Sequence, residues 1–134
     1  MTSFEELKGR CYCAALEFTA RTPSGEAKVI HCHCNGCREW TGGIAYSAVP
    51  VTELNFTKGT PKVFKRLSGP EKVFCSECGT GICNNIVFGP FRHTVAAGLF
   101  PDVLLESKLH CQMASKVAWA DLSADGKPSY DAWP

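Results

Sequence analysis

Phe74-Cys75-Ser76-Glu77-Cys78-Gly79-Thr80 holds two cysteines separated by two residues and followed at once by glycine. A C-x-x-C-G run is a knuckle. Its turn swings both sulfurs toward one metal, and the glycine lets the backbone bend tightly. Two sulfurs leave a tetrahedral metal half-coordinated. Cys11-Tyr12-Cys13 supplies the missing pair. If Arg10–Thr19 is a strand, Cys11 and Cys13 share a face, because side chains repeat every second residue. Cys11, Cys13, Cys75 and Cys78 then make the closed four-sulfur set of a structural zinc. The plainer alternative is that Cys11 and Cys13 are small strand residues.

Between these two motifs lies His31-Cys32-His33-Cys34-Asn35-Gly36-Cys37-Arg38. The C-x-C-x-x-C spacing lets Cys32, Cys34 and Cys37 surround one metal without outside help. Three protein ligands and one open position are expected of a catalytic zinc. Such a centre has two uses. It can lower the pKa of a bound water, or it can hold a soft sulfur ligand as a thiolate beside an electrophile. Three thiolates donate charge heavily, which favours the thiol chemistry. Zinc with three thiolates carries a net −1, and a fourth thiolate would make it −2. A nearby cation should therefore help, and Arg38 is the adjacent candidate, with a solvated surface role as its alternative. Strand alternation sets His31 and His33 opposite Cys32 and Cys34, so neither is counted as a ligand.

Nine cysteines in 134 residues is heavy usage, and an odd number excludes complete internal disulfide pairing. Met1–Arg10 carries Glu5, Glu6 and Lys8 and does not read as a secretory leader. Clustered cysteines without such a leader read as metal-binding or redox-active, in a reducing cytoplasmic setting. Cys83 and Cys111 lie in apolar segments and read as buried free thiols, with a small allowance for Cys83 reaching a metal. The length suits one domain over residues 1–134. A net charge of +1 with no basic block argues against nucleic acid. No apolar run is long enough to cross a membrane as a helix.

Outward from the cysteines, turn residues recur at Pro23-Ser24-Gly25, Gly42-Gly43, Lys58-Gly59-Thr60-Pro61, Ser68-Gly69-Pro70, Gly79-Thr80-Gly81 and Gly89-Pro90. They separate short runs rich in aromatic and β-branched residues. The predicted strands are Arg10–Thr19, Ala27–His31, Ile44–Pro50, Leu54–Thr57, Lys62–Arg66, Lys72–Phe74, Gly81–Phe88, His93–Ala97 and Leu109–Met113. This is the pattern of a mainly β, mostly antiparallel protein. Helix signals are few. Ser3-Phe4-Glu5-Glu6 has the capping-box pattern, and Asn35–Thr41 can form a helical turn with Asn35 as its cap. Ser123–Pro134 reads as irregular, packing through Tyr130 and Trp133. Core packing is expected of Trp40, Phe91, Phe100 and Trp119, with pocket lining as the alternative.

Taken together, Gly9-Arg10-Cys11-Tyr12-Cys13, the run His31–Arg38 with Thr41-Gly42-Gly43, and Phe74–Thr80 resemble the glutathione-dependent formaldehyde-activating enzyme family, also called the centromere protein V family. Leu109-His110 and Ser115-Lys116-Val117-Ala118-Trp119 are similar to that family's closing segment. The resemblance implies a β-tent zinc-binding fold of small antiparallel sheets. It implies carbon–sulfur lyase chemistry, the reversible joining of the glutathione thiol to formaldehyde. It also implies two zincs: a structural one on Cys11, Cys13, Cys75 and Cys78, and a catalytic one on Cys32, Cys34 and Cys37. The expected partner is a small thiol such as glutathione. Ala14 departs from the family, where glycine is common, and packing is where the change is expected to tell. The alternative function is a non-catalytic binding module, because the β-tent fold is similar to that of small-GTPase chaperones and fold does not fix function. A thiol redox sensor built on the three-cysteine cluster is a third reading.

Overall fold

The computed structural model describes residues 3–134. Its strands are β1 (Phe4–Arg10), β2 (Glu17–Pro23), β3 (Lys28–Cys32), β4 (Tyr46–Val51), β5 (Glu53–Lys58), β6 (Lys62–Phe64), β7 (Glu71–Phe74), β8 (Gly81–Phe88), β9 (Phe91–Ala96) and β10 (Glu106–Cys111), with one α-helix, α1 (Asn35–Thr41). A three-stranded sheet has the order β1-β2-β5. A seven-stranded sheet has the order β10-β3-β4-β9-β8-β7-β6. The expectation of a mainly β protein made of small sheets is met. One pairing departs from antiparallel. β10 runs parallel to β3 and sets His110 beside His31 and Cys111 beside Cys32.

The main core lies between the sheets. β2 alternates, burying Phe18, Ala20 and Thr22 while its other residues are more exposed. Opposite them sit Val49 and Val51 of β4, Ile82 of β8 and Val95 of β9. The Phe18 ring meets Phe56 and Phe100 edge-on, with centroids 5.8 Å away in each case. Burying one such ring contributes about 1.5–3 kcal/mol. A second cluster of Ile30, Cys32, Cys37, Tyr46, Ala48, Leu109 and Cys111 lies under α1.

Three local readings are corrected. Ser3–Glu6 does not start a helix, because Phe4–Arg10 is a strand paired with β2 along its whole length. A ladder of backbone bonds outweighs a weak capping pattern with no apolar helical face behind it. Arg10–Thr19 is not one strand. The chain turns between β1 and β2, with Ala14 N–H donating to Cys11 O at 3.1 Å and Cys11 N–H donating to Leu16 O at 3.1 Å. Residues two apart along a strand are about 6.8 Å from one another. The turn brings Cys11 and Cys13 Sγ to 3.7 Å instead. Asn35 does not cap α1. Cys34 does, its sulfur accepting the Cys37 N–H at 3.3 Å, while the Asn35 carboxamide accepts from Arg38.

The C-terminal segment is irregular, as expected, yet it is tied down by backbone bonds. His110 N–H donates to Pro128 O, Tyr130 N–H to His110 O and Gln112 N–H to Ala132 O, at 2.9–3.0 Å. Trp133 then packs on Phe88 with centroids 5.9 Å away. No described helix is long and apolar enough to cross a membrane.

Candidate functional site

The knuckle forms as its spacing requires. Cys75 N–H donates to Thr80 O at 2.9 Å, and Gly79 N–H to Cys75 O at 2.8 Å. Gly79 sits at φ +79°, where a side chain would be strained. The turn after β1 reaches over to it, with Tyr12 N–H donating to Thr80 Oγ1 at 3.1 Å. Sulfurs of Cys11, Cys13, Cys75 and Cys78 all lie within 4.8 Å of one another. Cys13 is 3.7 Å from Cys11 and 3.8 Å from Cys75. Tetrahedral zinc with Zn–S bonds of about 2.3 Å requires sulfurs about 3.8 Å apart, and disulfides require about 2 Å. The set fits zinc. Hydrogen bonds already favour the thiolate at Cys78 and Cys11. Thr80 Oγ1, 3.0 Å from Cys78 Sγ, leads in lowering the Cys78 thiol to about 6. Burial opposes ionisation of Cys11, but donation from Leu16 N–H, with smaller contributions from Cys13 and Cys75, outweighs it.

The end of β3 and the start of α1 make the second set. Cys32, Cys34 and Cys37 also lie within 4.8 Å of one another. Cys32 and Cys37 are buried and Cys34 half-buried. Cys111, brought alongside Cys32 by the parallel β10, donates its S–H to Cys32. This bond first, and one from Cys37 second, hold the Cys32 thiol far below its ordinary value. The same two bonds push Cys111 and Cys37 up. Cys111 is buried, as expected, but it backs the cluster and is not an idle thiol. Cys83 is the buried thiol foreseen, in the main core, with burial pushing it up to about 12.

A cavity of about 390 Å³ opens on this second set. Cys32, Cys34, Cys37, Ile30, Tyr46 and Lys72 are among its lining, and the four-sulfur set is absent from it. Tyr46 is buried, which pushes its phenol well up, and its O–H donates to Thr94 O at 2.6 Å. Lys72 is 6% exposed, and its ammonium donates to Asn84 Oδ1 at 2.8 Å.

The histidines stand on the far side of β3 from the cavity. His31 is held by Ser47 Oγ at 2.7 Å and Ser107 Oγ at 2.9 Å. His33 Nε2 lies 3.0 Å from His110 Nδ1, and His110 Nε2 lies 2.9 Å from Asp125 Oδ2. The carboxylate only accepts, so His110 donates to Asp125; a neutral His110 then accepts from His33, and a protonated one donates to it. Burial first, then the His110 charge, pulls His31 and His33 below the usual imidazole range.

A sequence model of the family described as glutathione-dependent formaldehyde-activating enzyme matches residues 6–119. The chain belongs to that family. An uncharacterized lyase of Schizosaccharomyces pombe is 28% identical over 100 residues, 73% of this chain and 71% of the relative. A crystal structure of a Rhodobacter sphaeroides protein superposes over 92% of this chain and 99% of that one, with a TM-score of 0.55 at 17% identity. That likeness is one of fold.

Against this formaldehyde-activating family background, the structure brings together all seven of the sequence-predicted ligands in their two sets. The alternative of a place in the cavity lining is not met for Arg38 or for Trp40, Phe91, Phe100 and Trp119. Arg38 is drawn to Asn35 and does not line it. Phe100 is in the core and Trp40 packs against the second cluster and edge-on against Phe74, as expected, whereas Phe91 borders a different cavity and Trp119 is exposed. Tyr46 and Trp133 are the aromatic lining residues instead. Lys72, Asn84 and Cys111 were missed. The one signal for Cys111 was its place beside His110 in the family's closing segment.

Proposed function

We propose that this protein is a zinc-dependent carbon–sulfur lyase that reversibly joins a small thiol to an aldehyde. Glutathione and formaldehyde are the pair that the family description suggests. Cys11, Cys13, Cys75 and Cys78 hold a structural zinc, and Cys32, Cys34 and Cys37 hold the catalytic one. The observation that carries this reading is the difference in surroundings. The three-sulfur set borders a cavity of about 390 Å³, and three donors leave a tetrahedral position for a substrate. When bound there, zinc lowers the pKa of a sulfur ligand and keeps it as a thiolate.

The chain's own residues do the remainder. Cys111 donates its S–H to Cys32 and relieves charge on that sulfur. Ile30, Ala48 and Tyr46 give the cavity an apolar wall that restricts water. Lys72 brings positive charge to a site that gathers thiolates. In the joining direction the thiol sulfur forms the C–S bond to the carbonyl carbon, the π pair moves to oxygen, and the thiol proton is replaced by one on that oxygen. Thiol plus formaldehyde thus gives the S-hydroxymethyl adduct with no atom lost. Nine cysteines with no disulfide among them suit a reducing compartment, and we assign the protein to the cytoplasm. The test is thiol-dependent loss of formaldehyde against the uncatalysed rate, with glutathione, cysteine and other small thiols. Acceleration with at least one is expected, and none with any would sink the reading.

A further inference from the structure

Lys72 stands out in the cavity for the partner it lacks. Buried ammonium groups are ordinarily paired with a carboxylate, because an uncompensated buried charge is costly. Lys72 is 6% exposed and takes part in none of the ion pairs among the described residues. No aspartate or glutamate lines the cavity, whereas Lys72 and Arg66 both do. The ammonium has three N–H donors, and one is spent on Asn84 Oδ1.

Its position is fixed by the sheet. Lys72 of β7 lies directly across from Asn84 of β8. Asn84 is itself 5% exposed and lines the same cavity. On its other side the Lys72 Nζ stands 5.6 Å from the centroid of Trp40, on the helix that carries Cys37. The head group is thus held between the strand and the helix, with donors left over and a cavity without carboxylates before it.

We propose that Lys72, supported by Asn84, is an anion-binding subsite that takes a carboxylate of the molecule entering this cavity. The substrate class is a thiol or an aldehyde that carries a carboxylate. The proposal rests on the cavity being the substrate site, but not on the lyase reaction. Lys72 is a point charge on a flexible stem and selects the charge more than the shape of its partner.

The experiment is calorimetric binding to the zinc-loaded protein, using two pairs of probes matched in length. 3-Mercaptopropionate against 3-mercaptopropanol tests a carboxylate on the thiol. Glyoxylate against glycolaldehyde tests one on the aldehyde. In at least one pair, the charged member is expected to bind tenfold tighter or better. Lys72→Met should shrink that preference to within twofold, and Lys72→Arg should keep most of it. Lys72→Gln, which can still bond Asn84, serves if the methionine variant does not fold. The pair that shows the preference identifies which substrate bears the carboxylate. No preference in either pair with the unaltered protein would overturn the subsite, as would a preference that Lys72→Met and Lys72→Gln leave intact. Absence of preference together with loss of zinc in the variants would assign Lys72 to balancing the cysteine charge instead. If no thiol accelerates formaldehyde loss while the Lys72-dependent preference stands, the lyase reading fails and the subsite does not.

Discussion

Ala14 adopts φ +61° in the turn between Cys11 and Leu16. An L-residue there costs about 1–2 kcal/mol, and glycine recovers part of that after its own entropy loss. Alanine in place of glycine at this position therefore acts on the backbone, not on packing. Ala14→Gly is expected to stabilise the zinc-loaded protein by roughly 0.5–1 kcal/mol in denaturant unfolding. An unchanged or lower midpoint would contradict the strain. Cys34 and Cys111 make a contrasting pair. Serine caps a helix as well as this cysteine does, so Cys34→Ser keeps the start of α1 and removes only a thiolate. It should fold and carry one zinc fewer by metal analysis. Cys111→Ser keeps a donor behind Cys32 and should retain both zincs. If Cys111→Ser also loses a zinc, the residue is a ligand and the open position disappears.

At the scale of elements, the Cys11–Leu16 turn is held from behind by the end of β5. A Cβ on Gly59 would stand 2.3 Å from the backbone O of Ala15, and Gly59 is at φ +77°. Gly59→Ala should cost roughly 2 kcal/mol or more and weaken zinc retention, since it displaces the turn that carries Cys13. Unfolding curves with and without chelator check both effects. β9 carries a separate sensitivity. Burial first, and Arg92 second, lower His93 from 6.5, and its Nδ1 bonds Asn85 Oδ1 at 2.8 Å. Between its folded and unfolded values the unfolded chain binds the extra proton. The stability His93 gives is therefore full above about pH 6.5 and declines as pH falls through its folded value. Unfolding free energy should drop less from pH 7.5 to 5.5 in His93→Gln than in the unaltered protein. Equal drops would refute the assignment. These elements also show what local sequence can carry. Gly81–Phe88 was read with its observed bounds, because apolar β-branched residues run between glycines at both ends. Arg10–Thr19 was misread because its turn is required by the sulfurs of Cys75 and Cys78, which are distant along the chain and adjacent in space. Lys72 reads locally as a solvated strand lysine. Its burial depends on Asn84 across the ladder and Trp40 on α1. Cys111 meets Cys32 only through a parallel pairing that no local pattern announces.

At the scale of the whole molecule, the two cysteine sets sit at different kinds of junction. Cys11 and Cys13 follow β1 of the small sheet, and Cys75 and Cys78 follow β7 of the large one, so their metal would tie one sheet to the other. A tie between distant segments contributes to folding outright. The other set caps a helix at the mouth of a cavity, and the fold is expected to survive the loss of its metal. The two zincs should therefore differ in how they are held. The direct test is zinc counted per chain during titration with a chelator. The expected result is two zincs in the intact protein, one released early and the other only as the protein unfolds, with the early one missing in Cys34→Ser. A single, tightly held zinc per chain would contradict the account.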